Sequence, residues 1–228
     1  MKKAYGKEFF KRAGSYAVWL PGSATELGDY GLLKENCFER IGSVHDLLPD
    51  FQAEESKTSL DSFSFLSEGV AEARAKAGGK LMKISYKVSS NSSVVFYAKG
   101  LSGRSISNLV ELSALLFKCK GWDSSLQIVT SVTGASDFYV LIGGRAGTEF
   151  AVTAEAEAFP LLRVPLASGS AGFRVEGECA LHLAGKSGSL MVNLHRMKLF
   201  GKGLKFATPA DALPAEPSLV PCTDEPSE

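Results

Sequence analysis

The chain has 228 residues, of which 45% are hydrophobic and 22% are charged, and its formal net charge at pH 7 is zero. This length and composition fit one folded domain, alone or with appendages. No run of about 18 apolar residues predicts a transmembrane helix, and the basic start MKKAYGKEFFKRAG lacks the apolar core of a secretory signal. No two of the four cysteines form a CxxC pair; they are Cys37, Cys119, Cys179 and Cys222. Their spacing argues against a zinc site and a disulfide scaffold, and fits a reducing cytoplasm.

Charge is divided between a basic body and an acidic tail. All 25 basic residues and 20 of the 25 acidic residues lie in 1–206, so the body carries +5 and the tail, 207–228, carries −5. A basic body with a detachable acidic tail suits an anionic partner such as a lipid surface. The alternative is a solvated charge distribution with no partner.

The sequence predicts a single α+β domain over 1–206. It predicts that 207–228, which holds five of the nine prolines, is a disordered or weakly docked tail, because proline removes backbone donors and little apolar surface is present. The tail residues suited to docking in a groove are Leu213, Leu219 and Val220.

In chain order, residues 2–13 favour a short basic helix with Tyr5, Phe9 and Phe10 on one side and a stop at Gly14. Residues 37–41 then predict a short strand. Residues 44–48 predict a turn of helix that Pro49 ends.

The stretch SEGVAEARAKAGGKLMKISYKVSSN, residues 67–91, begins like an alanine-rich helix and ends like a strand. Its residues alternate with a period of two, and no helical apolar stripe is sustained. Counted from residue 63, the odd positions carry mostly small or apolar residues: Phe63, Phe65, Ser67, Gly69, Ala71, Ala73, Ala75 and Ala77. Gly78-Gly79 offers a two-residue turn, after which Met82, Ile84, Tyr86 and Val88 alternate with polar residues. One long hairpin over about 60–99 is therefore favoured, and a helix over 69–77 stays open because alanine is a poor strand former.

A central amphipathic helix is predicted at about 105–120, with Ser105 or Ser107 as its N-cap and Gly121 as its stop. Its apolar stripe is Ile106, Leu109, Val110, Leu116 and Phe117.

The second half of the chain predicts strands at 126–134 and 136–144, followed by a last hairpin. In that hairpin, Gly185-Lys186-Ser187-Gly188 makes the turn. Apolar residues alternate on either side of it: Phe173, Val175, Cys179, Leu181 and Leu183 before the turn, and Leu190, Val192 and Leu194 after it. The fold class predicted is α+β: a twisted, largely antiparallel sheet with long hairpins, one central helix and a short basic N-terminal helix.

No catalytic signature names a reaction. The three histidines (His45, His182 and His195) form no recognisable constellation, and G-x-S-x-G, HExxH and Walker motifs are absent. The glycine-rich loop 143–147 favours a hairpin loop over a phosphate cradle. We therefore predict no enzyme, no catalytic residue, no metal, no cofactor and no nucleic-acid partner.

The order of elements resembles the pore-forming domain of gasdermins. Those proteins have a basic N-terminal helix, a long hairpin, a helix, further strands and a last hairpin similar in texture to VPLASGSAGFRVEGECALHLAGKSGSLMVNLHR. The segment LQIVTSVTGASDFYVLIGG is similar to the pair of strands that gasdermins carry after the helix. The resemblance covers about 1–200. It implies a latent cytoplasmic protein of cell death or antiphage defence, which a protease activates by removing a C-terminal inhibitory segment. The active protein would bind acidic lipids at the inner face of the cell membrane and oligomerise into a large β-barrel pore.

On this hypothesis, five basic residues contact anionic lipid: Lys2, Lys3, Lys7, Lys11 and Arg12. The hairpins 60–99 and 173–194 insert, and cleavage within 205–220 releases them. Spanning strands need about 9–11 residues with alternate side chains toward lipid. The candidate inserting residues are Phe63, Phe65, Ala71, Ala73, Ala75, Met82, Ile84, Tyr86, Val88, Phe173, Val175, Leu181, Leu183, Leu190, Val192 and Leu194. The alternative function is a soluble β-rich binding or interaction protein without pore activity, in which the tail is a tether.

Overall fold

The computed structural model describes residues 2–78, 81–91, 93–120, 122–155, 174–177, 181–197 and 203–208, with backbone alone for 74–78, 81–82, 153–155 and 174–177. The fold is α+β with a mostly antiparallel, twisted sheet, as predicted. The helices are α1 (Lys2–Ala13), α2 (Val44–Leu47) and α3 (Leu109–Lys118). The strands are β1 (Tyr16–Val18), β2 (Asp29–Lys34), β3 (Cys37–Ser43), β4 (Glu55–Leu66), β5 (Val70–Gly78), β6 (Leu81–Val88), β7 (Val94–Ile106), β8 (Gln127–Ile142), β9 (Glu149–Glu155), β10 (Arg174–Gly177), β11 (Leu181–Lys186), β12 (Ser189–Met197) and β13 (Leu204–Phe206).

Four long chain segments run side by side: β4–β5, β6–β7, β8–β9 and β10–β11–β12. The first three are each interrupted once near the middle. In the larger sheet, β4 pairs with β7, β7 with β8, and β8 with β11 and β12. In the smaller, four-stranded sheet, the continuations of the same segments lie in the order β5-β6-β9-β10. The four segments therefore keep the same neighbours, in the same order, on both sides of the interruption.

The interruption is a sharp bend that folds the smaller sheet back onto the larger one. Tyr86 of β6 and Tyr139 of β8 have their hydroxyl oxygens 3.5 Å apart. In straight strands these rings would be far apart, because Tyr139 pairs with Tyr97, which lies 11 residues, or about 36 Å, from Tyr86 along the strand. Both sheets bury apolar side chains in the cluster between them: Ile84, Tyr86, Val88, Val95, Tyr97, Tyr139, Leu141, Phe150 and Val152.

The opposite face of β7 and β8 is covered by α1, since alternate residues of a strand point to opposite faces. Phe96, Phe138 and Val140 share a second cluster there with Tyr5 and Phe9 of the helix. Near the bend, β7 and β8 thus lie between α1 on one face and the smaller sheet on the other.

At the far end of the larger sheet, β12, β1, β3, β2 and β8 close a ring through five consecutive pairings. The β1–β3 pairing is parallel and the other four are antiparallel. A third cluster gathers inside this end and includes Leu112 and Leu116 of α3 and Ala207, which follows β13.

The predicted hairpin over 60–99 is confirmed as strands, and the helical alternative for 69–77 is excluded by β5. The alternation did not reveal the bend, which lies at 67–69 in one strand and follows Val88 in the other. The strand at 37–41 and the helical turn at 44–48 are confirmed as β3 and α2.

Two predicted boundaries in the second half are wrong. The strands at 126–134 and 136–144 are one strand, β8, because β7 pairs with it continuously past Ala135. The residues 185–188 do not reverse the chain: β11 and β12 pair with successive parts of β8 in one direction. Ser187 (φ 58°) and Gly188 (φ 126°) divert the backbone locally, and the amide of Ser187 still donates to Ser136 O at 3.1 Å.

The predicted central helix is confirmed as α3, but its start and its buried face differ from the prediction. Residues 105 and 106 belong to β7, so neither Ser105 nor Ser107 caps the helix; Asn108 occupies the N-cap without a capping side-chain bond. Leu112, Ser113 and Leu116 form the buried face, whereas Val110 and Phe117 are 85% and 56% exposed.

Candidate membrane-binding and membrane-inserting surfaces

Helix α1, the predicted lipid-binding element, is held by its aromatic side. Tyr5 and Phe9 are fully buried, and the rings of Phe9 and Phe96 meet edge to face at 4.9 Å. Gly6 allows close contact with the β2–β3 turn, since a Cβ there would lie 2.7 Å from the carbonyl oxygen of Glu35. The sequence grouped Tyr5, Phe9 and Phe10 correctly on the helix, and Phe10 packs with Tyr16 at 4.7 Å.

The five predicted lipid-contacting cations lie in different surroundings. Lys3, Lys7 and Arg12 are exposed. Lys2 is largely buried and ion-paired with Glu39, whereas Lys11 is half-exposed and pairs with Glu68 at 2.5 Å.

Glu68 brings the cations of α1 to the bend of the first hairpin. The hydrogen bond from Lys11 is the largest cause that lowers the pKa of the Glu68 carboxyl, and the charges of Arg12 and Lys7 lower it further. A pocket of about 370 Å³ opens beside this contact, lined by Lys7, Glu8, Glu68 and the serines of the bend. Glu68 was not among the predicted site residues, because alternation places it on a polar face without showing its distant partner.

Hydroxyl groups satisfy the backbone where the strands bend. The Ser67 hydroxyl accepts from the amide of Val94 at 2.8 Å. The Ser89 hydroxyl donates to Gly69 O at 3.0 Å, and the Ser90 hydroxyl donates to Glu68 O at 3.1 Å. These bonds replace strand pairings that the bend removes.

The first two candidate inserting residues lie beneath α1. Phe65 is 8% exposed, stacks on Phe96 at 5.4 Å and contacts Phe9 at 5.8 Å. Phe63 is partly buried against the same rings. Both side chains therefore lie between the larger sheet and α1 in this conformation.

The smaller sheet separates the remaining candidates of the first hairpin into two faces. Ala73 pairs with Ser85 and Ala71 with Lys87, whereas Glu72 pairs with Tyr86, and directly opposed residues share a face. Ala71 and Ala73 are exposed, whereas Ile84, Tyr86 and Val88 are fully buried against the larger sheet.

The neighbouring strand β9 completes both faces. Phe150 and Val152 are buried with Ile84 and Tyr86, although the sequence analysis did not select them. On the outer face, Lys87 and Glu149 form an exposed ion pair at 3.2 Å. Ala75, Met82 and Val175 lie in strands of this sheet with only their backbone described.

The candidate inserting residues of β11 and β12, predicted as the last hairpin, lie in strands that pair with β8. Leu190, Val192 and Leu194 are buried in the larger sheet, and Leu181 and Leu183 are partly buried. Phe173 and the tail residues Leu213, Leu219 and Val220 lie outside the described residues.

The thiols and histidines that the structure describes show no catalytic arrangement. Burial raises the pKa of the Cys37 thiol to about 12, which makes it a poor nucleophile. Burial lowers the pKa of both His182 and His195. Over the described ranges, no group of three or more His, Cys, Asp or Glu side chains is placed to hold a metal ion. Within the same ranges, no helix has the length and hydropathy to cross a membrane.

Comparison with known proteins gives matches only among solved structures. No family model and no curated protein matches the chain. The chain is similar to the gasdermin A3 membrane pore, determined by electron cryomicroscopy, with 12% identity, a TM-score of 0.37, and coverage of 90% of this chain and 94% of that one. It is also similar to a bacterial gasdermin from Bradyrhizobium tropiciagri, with 12% identity, a TM-score of 0.35, and coverage of 85% and 86%. Both are members of the family that the order of elements in the sequence resembles.

Proposed function

We propose that this protein is a latent membrane pore-former. It rests in the cytoplasm, binds acidic lipid at the inner face of the cell membrane through α1, straightens its four bent segments and oligomerises into a closed ring of inserted strands. A protease activates it by removing the acidic C-terminal tail. No catalytic step is part of this function.

The observation that carries the proposal is that the four chain segments have the same neighbours, in the same order, in both sheets. Because β5-β6-β9-β10 continue β4-β7-β8-β11/β12, the four segments can straighten while keeping the strand pairings within each sheet. Residues 55–78 would then form one strand of 24 residues, well above the 9–11 that a spanning strand needs. The free energy required is that of exposing the apolar cluster between the sheets, which lipid would cover again.

The faces of the smaller sheet assign the two sides of the inserted ribbon. We propose that Ile84, Tyr86, Val88, Phe150 and Val152 exchange the larger sheet for lipid. The outer face, with Ala71, Ala73, Ser85 and the Lys87–Glu149 pair, would then line the aqueous lumen. Strands β5 and β10 are the edges of this sheet, and pairing β5 of one copy with β10 of the next would remove every free edge from a closed ring.

The same arrangement gives α1 its role. Exposed Lys3, Lys7 and Arg12 supply the first attraction to anionic headgroups. Lys2 and Lys11 are held by Glu39 and Glu68 in the latent form. Lipid phosphates that compete for Lys11 would weaken the contact between α1 and the bend, which couples membrane binding to straightening.

Dye release from liposomes tests this function. The site of a sequence-specific protease is inserted after Thr208, because Ala207 is buried and a cut near 205 would remove part of the core. We expect cleavage of the folded chain to release dye from vesicles rich in phosphatidylserine. Two controls are needed. The first is the cleaved chain with neutral phosphatidylcholine vesicles, and the second is the chain without the inserted site, treated with the same protease. Complete cleavage without dye release from acidic vesicles would favour the soluble interaction protein instead.

A further inference from the structure

We infer that a length mismatch between neighbouring chain segments favours the bent form over the straight one. The two middle segments, β6–β7 and β8–β9, carry more residues through the bend than the segments on either side of them. Straightening forces the surplus residues out of the strand ladder, which opposes it. This inference rests on the proposed function, because straightening is a step of that function, and it identifies what regulates the step.

The mismatch is seen first between β4–β5 and β6–β7. Leu66 pairs with Val95 on one side of the bend, and Val70 pairs with Val88 on the other. Four positions separate Leu66 from Val70, whereas seven separate Val88 from Val95. The middle segment therefore carries three surplus residues through the bend.

Backbone hydrogen bonds place this surplus within the bend itself. The amide of Ser67 donates to Val94 O at 2.9 Å, and the amide of Ser89 donates to Gly69 O at 2.8 Å. Two positions on the short segment therefore lie opposite five on the middle one. Both ladders are bonded up to the bend, so the surplus is not an effect of frayed strand ends.

The two middle segments match each other in length. Val94 pairs with Ile142 in the larger sheet, and Lys87 pairs with Glu149 in the smaller one. Seven positions separate the two pairs on each segment. The middle segments thus keep one register through the bend.

Hydrogen bonds across the bend hold the middle segments together as a ribbon. The amide of Gly143 donates to Ser93 O at 2.8 Å, and the side-chain oxygen of Asn91 accepts from the amide of Ala146 at 2.9 Å. The surplus is therefore shared by both strands of this ribbon.

The fourth segment repeats the mismatch on the other side of the ribbon. Gly177 of β10 pairs with Phe150, and Leu181 of β11 pairs with Ile142. Four positions separate Gly177 from Leu181, whereas eight separate Ile142 from Phe150. Here the ribbon carries four surplus residues, so both of its neighbours are shorter than it is at the bend.

A straight sheet cannot hold the surplus within its ladder. Antiparallel strands pair residue by residue, so three extra residues must leave the ladder as a bulge, or one pairing must slip by three positions. Strands β5 and β6 are joined by only two residues, and such a short connection fixes the register of a hairpin. A bulge is therefore favoured over a slip.

The residues at the bend suit such a bulge. Ser89, Ser90, Asn91 and Ser93 are small and polar and belong to the residue types that dominate turns. In the bent form the Ser89 and Ser90 hydroxyls donate to backbone carbonyls of the short segment. Straightening would break these bonds, and the bulge would keep them from re-forming.

Insertions after Glu68 test the mismatch, because they lengthen only the short segment. The series contains one to five Ser and Gly residues, inserted in the uncleaved chain, and near-ultraviolet circular dichroism checks that each variant is folded. Spin labels at Ser85 of β6 and Ser102 of β7 report the bend. They lie 17 positions apart on one segment, which corresponds to about 56 Å when the segment is straight.

We expect the straight fraction to be greatest at three inserted residues, where the two segments have equal length. The labels are measured in dodecyl maltoside micelles, which cover apolar surface without acidic lipid. The fraction at three residues should exceed those at one and at five at least threefold. The mismatch with β10–β11 is the same in every variant, so it does not change this order. A fraction that rises steadily with length, or stays constant, would overturn the inference.

The chain without an insertion gives a second test. Ala73 and Ser85 are directly paired, so spin labels at these positions broaden each other's spectrum. After tail cleavage on acidic vesicles, we expect this broadening to persist while the distance from Ser85 to Ser102 lengthens. Loss of the broadening would show that β5 has slipped, and would overturn the inference.

The micelle measurement involves neither cleavage nor dye release, so it separates the mismatch from the pore. A maximum at three residues, without dye release by the cleaved chain, leaves the mismatch standing and removes the pore function. Dye release, with a straight fraction that does not depend on insertion length, leaves the pore standing and removes the mismatch.

Discussion

At the scale of single residues, the bend of the first hairpin depends on one glycine and two serines. Gly69 adopts φ +81°, and a Cβ there would lie 2.7 Å from the Ser89 hydroxyl and 2.9 Å from the Ser90 hydroxyl. Those hydroxyls hold the backbone carbonyls of Gly69 and Glu68. One glycine and two serines thus allow two paired strands to turn back together.

Replacing this glycine should weaken the bent conformation. Gly69→Ala forces a left-handed backbone on alanine, which costs about 1 kcal/mol, and displaces two hydrogen-bonding hydroxyls worth about 1 kcal/mol each. We expect the free energy of unfolding to fall by roughly 2–3 kcal/mol, measured by urea denaturation. We also expect the uncleaved variant to release more dye from acidic vesicles than the uncleaved original chain.

Gly14→Ala is the matched control. Gly14 also has a positive φ of 65°, but nothing lies within 4 Å of the added Cβ, so only the backbone cost of about 1 kcal/mol applies. Equal losses in the two variants would show that the Ser89 and Ser90 contacts do not support the bend.

At the scale of elements, α1 and the bend are joined by charge as well as by packing. Lys11 pairs with Glu68, and Lys7 and Arg12 act on the same carboxylate. Because this contact is exposed and salt screens it, its larger consequence is for the availability of the cations rather than for stability.

Removing the carboxylate should free α1 for lipid. We expect Glu68→Gln to bind vesicles rich in phosphatidylserine severalfold more tightly at low ionic strength, measured by co-sedimentation, and the gain to shrink as salt is added. Glu54→Gln makes the same charge change at an exposed position outside the bend. An identical gain in both variants would reduce the effect to net charge and remove Glu68 from any specific role.

The two faces of the smaller sheet make a second prediction for an element. Ala73 is exposed on the face that carries Lys87 and Glu149, which we assign to the lumen. We expect Ala73→Asp to keep the unfolding free energy within about 0.5 kcal/mol, as for most surface changes, and to leave dye release by the cleaved protein within twofold. Abolished release with an unchanged fold would move this alanine to the lipid face, where a carboxylate is costly.

At the scale of the whole molecule, local sequence patterns predicted the elements but not their arrangement in space. Alternation correctly predicted β5, and apolar spacing correctly predicted α1. The bend was not predicted, because the contact between Tyr86 and Tyr139 joins residues 53 positions apart in the sequence. A local periodicity does not encode such a contact. The same holds for 185–188: glycines that are typical of a turn are also compatible with a diverted strand, and only the partner, β8, decides between them.

The straightening of the bent segments can be measured directly as a distance. Spin labels at Ser59 of β4 and Ala73 of β5 lie on one chain segment, on opposite sides of the bend. If the segment straightens, the separation of 14 positions along the strand corresponds to about 46 Å. We expect pulsed electron-spin resonance to show a shorter distance in the latent protein and a shift to about 46 Å after tail cleavage on acidic vesicles. Labels at Ser59 and Ser102, which pair directly across β4 and β7, should keep their separation. Dye release without lengthening of the first distance would show that the pore forms with the bend intact, and would remove straightening from the mechanism.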